Sequence, residues 1–419
     1  MKKIEKINAL AKKLSQLVDA FRKGEPAKET EWWQLGLPKI MFDPRYGYQD
    51  SKPLYEEIVQ GILKLNSEML SEYEVNNKLI YKFLEPQTIK VFEPSHLYNK
   101  ELFSEAKNII TQLTEFEKWQ DLEFAVAHLQ LDGEPVKIGE VTFLSVTKEE
   151  IERWKKEGYC PDSIENVKVV ACVKSPGDEH KALLYARDKA SQVLDLIRAF
   201  CFPFGKDSDK WPMGFPGDVD ASHRIPIRRS NNTPITIIGN PRGDIELHRM
   251  ILSKFDEKYW KLLNNLILKS NTNNMERKLI GSIHWLAEAT KQDTNNAKFA
   301  KVSFALETLL GGEAEDEDLK VRGITAMLAE RAAFIAGRNN DDRLSIDKDI
   351  RKYYGKRSNI VHGGEGEVIL EDIDGFGELV RRLALAMLEK LDEIGDKIIN
   401  TDDLEKWVKS QRYTLPDID

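Results

Sequence analysis

Beyond about residue 246 the chain shows one unbroken series of amphipathic helical patterns. Apolar residues recur at spacings of three and four, as expected for helices that bury one face. The pattern predicts helices over about 246–269, 275–292, 296–311, 318–337, 345–362, 371–396 and 402–410. Short connections between helices of this length favour antiparallel neighbours in a bundle. We therefore predict an all-α domain over residues 246–419.

The first 200 residues have a mixed pattern. Helical periods alternate with runs of β-branched and apolar residues that are typical of strands. Helices are predicted over 1–23, 54–72, 98–120 and 178–200, and strands over 124–131, 140–146 and 167–173. This half is expected to be an α+β domain.

Prolines and glycines are concentrated over 201–245, which is typical of a connector with at most one strand, at 235–238. A chain of 419 residues also exceeds the usual size of a single hydrophobic core. We therefore expect an α+β domain over 1–200, a Pro/Gly-rich connector over 201–245 and the helical bundle over 246–419.

Composition narrows the possible environments and partners of the chain. No run of about 18 apolar residues occurs, so we expect no membrane partner. The three cysteines are too few and too scattered for a disulfide framework or a zinc knuckle, which favours the reducing cytoplasm. A formal net charge of −8 argues against nucleic-acid binding by the whole surface, although a local basic patch is compatible with it.

The most informative stretch is 353–364, which reads Tyr-Tyr-Gly-Lys-Arg-Ser-Asn-Ile-Val-His-Gly-Gly. Arg357 falls within an apolar helical stripe, and a buried guanidinium requires acceptors or an anionic ligand. His362 lies in the last turn before Gly363 and Gly364, where the negative end of the helix dipole favours the protonated imidazole. A fixed cation beside an imidazole that titrates near neutral pH suits phosphodiester chemistry.

Each residue of this constellation also has a structural interpretation. Arg357 can be a buried arginine tied to a carboxylate, and His362 can cap helix carbonyls. Glu307 lies one position off the apolar stripe of its helix, either as a surface acid or as an acceptor that orients Arg357 or His362. Tyr354 can belong to the core or stack on a base.

Further polar and basic residues surround the motif. Ser358 and Asn359 can place a phosphate or a water molecule. Arg351, Lys352 and Lys356 form a basic cluster that either attracts phosphate, as an RNA-binding surface would, or is simply a solvated face. The other histidines show no paired ligand spacing, so we expect no metal and no other cofactor.

Stretch 353–364 resembles the Arg-x4-His motif of HEPN ribonucleases, and its wording is similar to the Apea-like subgroup. Residues 304–310 (Phe-Ala-Leu-Glu-Thr-Leu-Leu) and 328–333 (Leu-Ala-Glu-Arg-Ala-Ala) resemble earlier helices of that subgroup, in the same order. The resemblance covers about residues 275–395. It implies a HEPN-like bundle with Arg357 and His362 as catalytic residues, and Ser358 as the polar residue that often follows the arginine.

The resemblance also implies a function. HEPN ribonucleases are metal-independent endoribonucleases in which the ribose 2′-hydroxyl attacks the phosphate, and they act as homodimers with a composite cleft. In that family such domains serve in phage defence by abortive infection, or as toxins that arrest growth. By analogy, residues 1–200 would be a sensor or regulatory domain that responds to a phage-derived trigger or a regulatory partner.

Two other hypotheses remain open at this point. The bundle can be a non-catalytic module for RNA or nucleotide binding and dimerisation, in which Arg357 only grips phosphate. It can also be a purely structural helical protein that binds a partner. Loss of activity on substitution of His362 would separate the catalytic hypothesis from both.

Overall fold

The computed structural model describes residues 2–23, 52–84, 99–156, 167–205, 213–215, 227–230, 233–236, 245–247, 257–292, 294–312, 323–363 and 368–413. The chain divides into two compact units that are interleaved in sequence. The first comprises residues 1–122 and 174–187, and the second comprises 123–173 and 188–419. The division predicted from sequence, at about 200 and 246, remains a prediction.

The first unit is built from amphipathic helices. They are α1 (Lys2–Lys23), α2 (Lys52–Leu65), α3 (Glu72–Asn77), a π-helix (Lys78–Leu84) and α4 (Asn99–Thr114). The apolar stripes predicted from sequence form its core, where Leu14, Ile58 and Ile110 are fully buried. No helix was predicted over 78–84, where the π-helix lies.

A small antiparallel sheet follows in the sequence. Its strands are β1 (Trp119–Val126), β3 (Val136–Ile138), β4 (Val141–Ser145) and β5 (Val169–Pro176), in the order β1-β5-β4-β3. Val141 lies opposite Val173, and Val136 lies opposite Phe143. Helix α5 (Lys148–Lys156) comes after β4, and α6 (Glu179–Cys201) comes after β5.

Short strands complete the β structure of the described residues. Strand β2 (Leu129–Gln130) pairs in parallel with β8 (Ile245–Glu246), and β6 (Ile227–Ser230) pairs with β7 (Thr233–Thr236) in antiparallel fashion. The predicted strand at 235–238 overlaps β7. An α+β region followed by helices is therefore present, as the sequence predicted.

The helices of the second unit surround one long central helix. They are α7 (Glu257–Leu268), α8 (Asn274–Thr290), α9 (Asn295–Leu310), α10 (Ile324–Ala336), α11 (Asn340–Gly363), α12 (Leu370–Ile394) and α13 (Thr401–Tyr413). Helix α8 packs along α9, α10 packs along α11, and α12 contacts all five helices from α7 to α11. Part of the predicted helix 246–269 and the start of 318–337 lie outside the described residues. In the described part of the chain, no helix is long and apolar enough to cross a membrane.

The end of α6 packs against α12. Arg381 donates hydrogen bonds from Nε to the carbonyl of Ala199 at 2.8 Å and from Nη2 to that of Phe202 at 2.5 Å. The ring of Phe204 lies against Gly377, where a Cβ atom would have no room. The bundle therefore includes residues that precede the predicted boundary at 246, and a fragment starting there would expose the surface of α12 that they cover.

Candidate functional site

Helix α11 carries the Arg-x4-His motif at its carboxyl end. The helix begins earlier than the predicted residue 345, because the Asn339 side chain accepts a hydrogen bond from the Asp342 amide at 2.9 Å and caps it. It continues to Gly363, so Arg357 and His362 lie on one helix. The side chains of His362 and Asn359 fall outside the described residues.

Arg357 lies between an acid and an aromatic ring. Its Nη2 is 3.2 Å from Oε1 of Glu307 on α9, an ion pair without the alignment of a hydrogen bond. Its Cζ is 5.5 Å from the centroid of the Tyr354 ring. The Arg357 side chain keeps 20% of its exposure, and its buried Nε–H has no hydrogen-bond partner. The guanidinium of Arg357 is therefore held in a defined position while its Nε–H donor stays without a partner.

The ring of Tyr354 packs against the guanidinium of this pair. Its side chain is buried, and this burial is the main reason that the pKa of the phenol is raised to about 12. The nearby negative charge of Glu307 raises the pKa further. The positive charge of Arg357 opposes this shift. The phenol is therefore neutral near pH 7. The ring of Tyr354 therefore lies in the core of the second unit, with the Arg357 guanidinium over its face.

The neighbouring basic residues are paired with acids. Arg351 binds Asp347, with Nε 2.7 Å from Oδ2. Lys352 lies 3.1 Å from Oδ1 of Asp372 at the start of α12, and Lys356 contacts the other oxygen of the same carboxylate. The predicted basic cluster is thus largely neutralised within the molecule. Any phosphate attraction here has to come chiefly from the site of Arg357, next to the exposed Ser358.

A second polar cluster lies elsewhere in the same unit. Asp195 on α6 accepts from Arg198 Nη1 at 3.1 Å and lies 2.7 Å from Nδ1 of His284 on α8. The hydrogen bond to Asp195 raises the pKa of His284, and partial burial opposes that shift. Sequence reasoning missed this pair because 89 residues separate its members and no local spacing marks them.

This second cluster contains the residues with the spacing for a metal ion. In the described part of the chain, ligand atoms of Asp195, His284 and Glu288 all lie within 4.8 Å of one another. Two cations are already beside the acid, however, since Arg198 bonds to Asp195 and Lys291 Nζ lies 3.8 Å from it. A divalent cation would be repelled by both, so the arrangement favours an ion-paired cluster over a metal site.

The pair of Glu307 and Arg357 makes a testable contribution to stability. Glu307→Gln removes the charge that balances a mostly buried guanidinium, and we expect it to lower the free energy of unfolding by about 1–3 kcal/mol. The double variant with Arg357→Gln should lose less than the sum of the single losses, because the two groups interact. Denaturant unfolding measures both values.

The control is Asp347→Asn, which breaks the exposed pair with Arg351 on α11. Exposed pairs contribute little, so this change should cost less than about 1 kcal/mol. Equal losses of unfolding free energy for Glu307→Gln and Asp347→Asn would contradict a role of Glu307 in balancing a mostly buried guanidinium.

His284 gives the stability a defined pH dependence. Because its folded pKa is raised, the stabilisation is complete below the unfolded pKa of about 6.5 and is lost as the pH rises through the folded pKa. The loss of melting temperature in His284→Asn should therefore be larger at about pH 5.5 than at about pH 9. Between these two pH values, the cost of His284→Asn in free energy of unfolding should change by less than about 1 kcal/mol, since the half-exposed ring is screened by solvent.

The control for His284 is His180→Asn, because the His180 ring contacts Tyr73, with 5.6 Å between ring centroids, instead of an acid. The change in melting temperature that His180→Asn causes at each pH is the baseline against which the change in His284→Asn is compared. A gap between wild type and His284→Asn that grows with pH would contradict the charge pairing with Asp195.

Comparisons with known proteins add no family to this geometry. No protein-family model, no curated protein and no solved structure matches the chain.

Proposed function

We propose that this protein is a metal-independent endoribonuclease of HEPN type, with Arg357 and His362 as its catalytic residues. The observation that carries the proposal is the state of Arg357. The guanidinium is held between Glu307 and Tyr354, yet one fifth of its side chain is exposed. Such a cation is ready to receive a second anion without a change of rotamer.

RNA supplies its own nucleophile, so two protein groups suffice for the reaction. His362, acting as base, removes the proton of the ribose 2′-hydroxyl, whose oxygen attacks the adjacent phosphorus. Arg357 stabilises the extra negative charge on the phosphoryl oxygens in the transition state. The bond to the 5′-oxygen then breaks, and the leaving oxygen takes up a proton from the imidazolium of His362. The products are a 2′,3′-cyclic phosphate and a 5′-hydroxyl.

Helix geometry supports a homodimer. Residues five positions apart leave a regular helix about 140° apart and about 7.5 Å along its axis. Positions 357 and 362 of one chain therefore lie on different faces of α11. In the family that the motif resembles, the motif helices of two copies face each other across a two-fold axis and form a composite cleft, and we expect the same arrangement of α11 here. Gly355 is exposed on α11, and a Cβ atom there would meet no atom of the described chain within 4 Å.

The biological role follows the family that the motif resembles. The nuclease would serve in phage defence by abortive infection, or in toxin-like growth arrest, with RNA as its substrate. Residues 1–200 would restrain it until a phage-derived trigger or a regulatory partner arrives. The support for this role is the resemblance alone.

The second candidate is a non-catalytic module that binds RNA or nucleotides and dimerises. The contacts of Arg357 with Glu307 and Tyr354 support it, because a guanidinium held in this way can bind a phosphate without taking part in a reaction. In that case His362 has no chemical task. Activity measurements separate the two functions directly.

The first test of the nuclease is cleavage of total RNA by the purified full-length protein in EDTA. Arg357→Ala and His362→Ala should each lower the rate at least about a hundredfold, and wild-type products should carry cyclic phosphate ends. His362→Ala should still bind RNA. Matched controls are Arg277→Ala on α8 and His180→Asn on α6, which lie outside the site. Cleavage that survives both site substitutions would exclude the assigned residues.

Gly355 tests the dimer. Glycine inside a helix costs about 0.5–1 kcal/mol relative to alanine, and the extra methyl group meets nothing within the described chain. Gly355→Ala should therefore raise the melting temperature of the monomer slightly while weakening a dimer whose helices meet at this residue. Sedimentation at several concentrations measures the second effect. Unchanged self-association in Gly355→Ala would exclude close packing of α11 against its copy.

A further inference from the structure

A polar cleft of about 530 Å³ lies beside the amino end of α11. It is enclosed by residues of α7, α10, α12 and α13 together with the connection between α10 and α11. Its walls carry more positive than negative charge, since Arg338, Arg343, Arg381, Arg382 and Lys390 line it together with Glu378 and Glu389. Asp342 pairs with Arg382 and Glu393 pairs with Lys390, so the attraction of the cleft for an anion comes chiefly from Arg338 and Arg343.

Two of these arginines have unused binding capacity. Arg381 and Arg382 are occupied, because they donate to main-chain carbonyls and contact Glu378 and Asp342. In the described part of the chain no carboxylate lies within ion-pairing distance of Arg338 or Arg343. The Nε–H of Arg343 is also buried without a hydrogen-bond partner. A buried donor of this kind costs free energy until an acceptor reaches it.

Arg343 is held in place before any ligand arrives. Its Cζ lies 4.8 Å from the centroid of the Phe334 ring. Its aliphatic part lies against Gly337, where a Cβ atom would collide with it. Rigid stacking of a guanidinium on a ring lowers the entropy cost of binding an anion. The Phe334 ring and the absent side chain at Gly337 thus position the charge.

The cleft is also lined by aromatic and apolar side chains. Tyr259, Trp407 and Leu385 contribute to its walls. Its volume falls in the range of sites that bury small organic ligands. Since aromatic rings stack on nucleobases and arginines bind phosphate in bidentate fashion, the lining contains both residue types that one ligand class requires.

We propose that this cleft binds a nucleoside phosphate, with Arg338 and Arg343 on the phosphate and Trp407 and Tyr259 against the base. The site is distinct from that of Arg357, which lies 14 residues further along α11, or about 21 Å at the rise of an α-helix. It would exist whether or not the protein cleaves RNA.

The test is calorimetric titration of the full-length protein with AMP, adenosine and inorganic phosphate. AMP should bind, and each fragment should bind at least about tenfold more weakly, because each makes only half of the contacts. Arg343→Gln should weaken AMP binding at least about tenfold. Trp407→Leu should weaken AMP binding and leave phosphate binding unchanged.

The matched control is Lys348→Gln, which removes one positive charge from an exposed position on the same helix but outside the cleft. It should leave AMP affinity unchanged. A competing short single-stranded RNA that displaces AMP would identify a strand as the source of the nucleotide, and failure to displace it would identify a free nucleotide. No AMP binding at about 1 mM, or equal affinity in Arg343→Gln and wild type, would overturn the proposal.

Discussion

The candidate site depends on an aromatic cluster that joins three helices. The ring centroids of Tyr353 on α11 and Phe376 on α12 are 4.9 Å apart in a stacked arrangement, and Phe299 on α9 lies 5.0 Å from Phe376. All three side chains are buried or nearly so. Stacked and tilted rings hold helices in a defined register, because each ring fits only one set of neighbours. One turn beyond Tyr353 and two turns beyond Phe299, the same register brings Arg357 to Glu307. The electrostatics of the site are therefore a consequence of apolar packing.

Helix α11 carries two arginines in contrasting surroundings. Near its carboxyl end Arg357 is balanced by Glu307, and near its amino end Arg343 has no acid in ion-pairing distance among the described residues. Both rest on aromatic rings, at 5.5 Å from Tyr354 and 4.8 Å from Phe334. A balanced cation contributes to stability and can still stabilise charge that develops in a transition state. An unbalanced cation is better suited to ground-state binding of an anion. The same residue type thus supports a catalytic proposal at one end of the helix and a binding proposal at the other.

Charge pairing determines what the surface near the motif can do. The run of basic residues from Arg351 to Arg357 looks like a phosphate-binding patch in one dimension, yet Asp347, Asp372 and Glu307 neutralise its members in space. Asp372 forms ion pairs with both Lys352 and Lys356, because α12 begins beside α11. This compensation agrees with the net charge of −8, which already argued against broad binding of nucleic acid. Specific recognition would have to use few contacts with good geometry in place of a large field.

Local periodicity was enough to predict most helices and the α+β character of the first part, and one of the two interpretations of Tyr354 placed it in the core, where its side chain is buried. It also showed that Arg357 needed an acceptor, because the cost of burying a guanidinium is a property of the residue itself. The identity of that acceptor was only one of two interpretations of Glu307, since a contact across 50 residues leaves no local spacing in the sequence. The Asp195–His284 pair, the packing of Phe204 on Gly377 and the arginine-lined cleft were decided by tertiary structure alone. Each depends on how helices distant in sequence pack against one another, and periodicity reports only which face of each helix is buried.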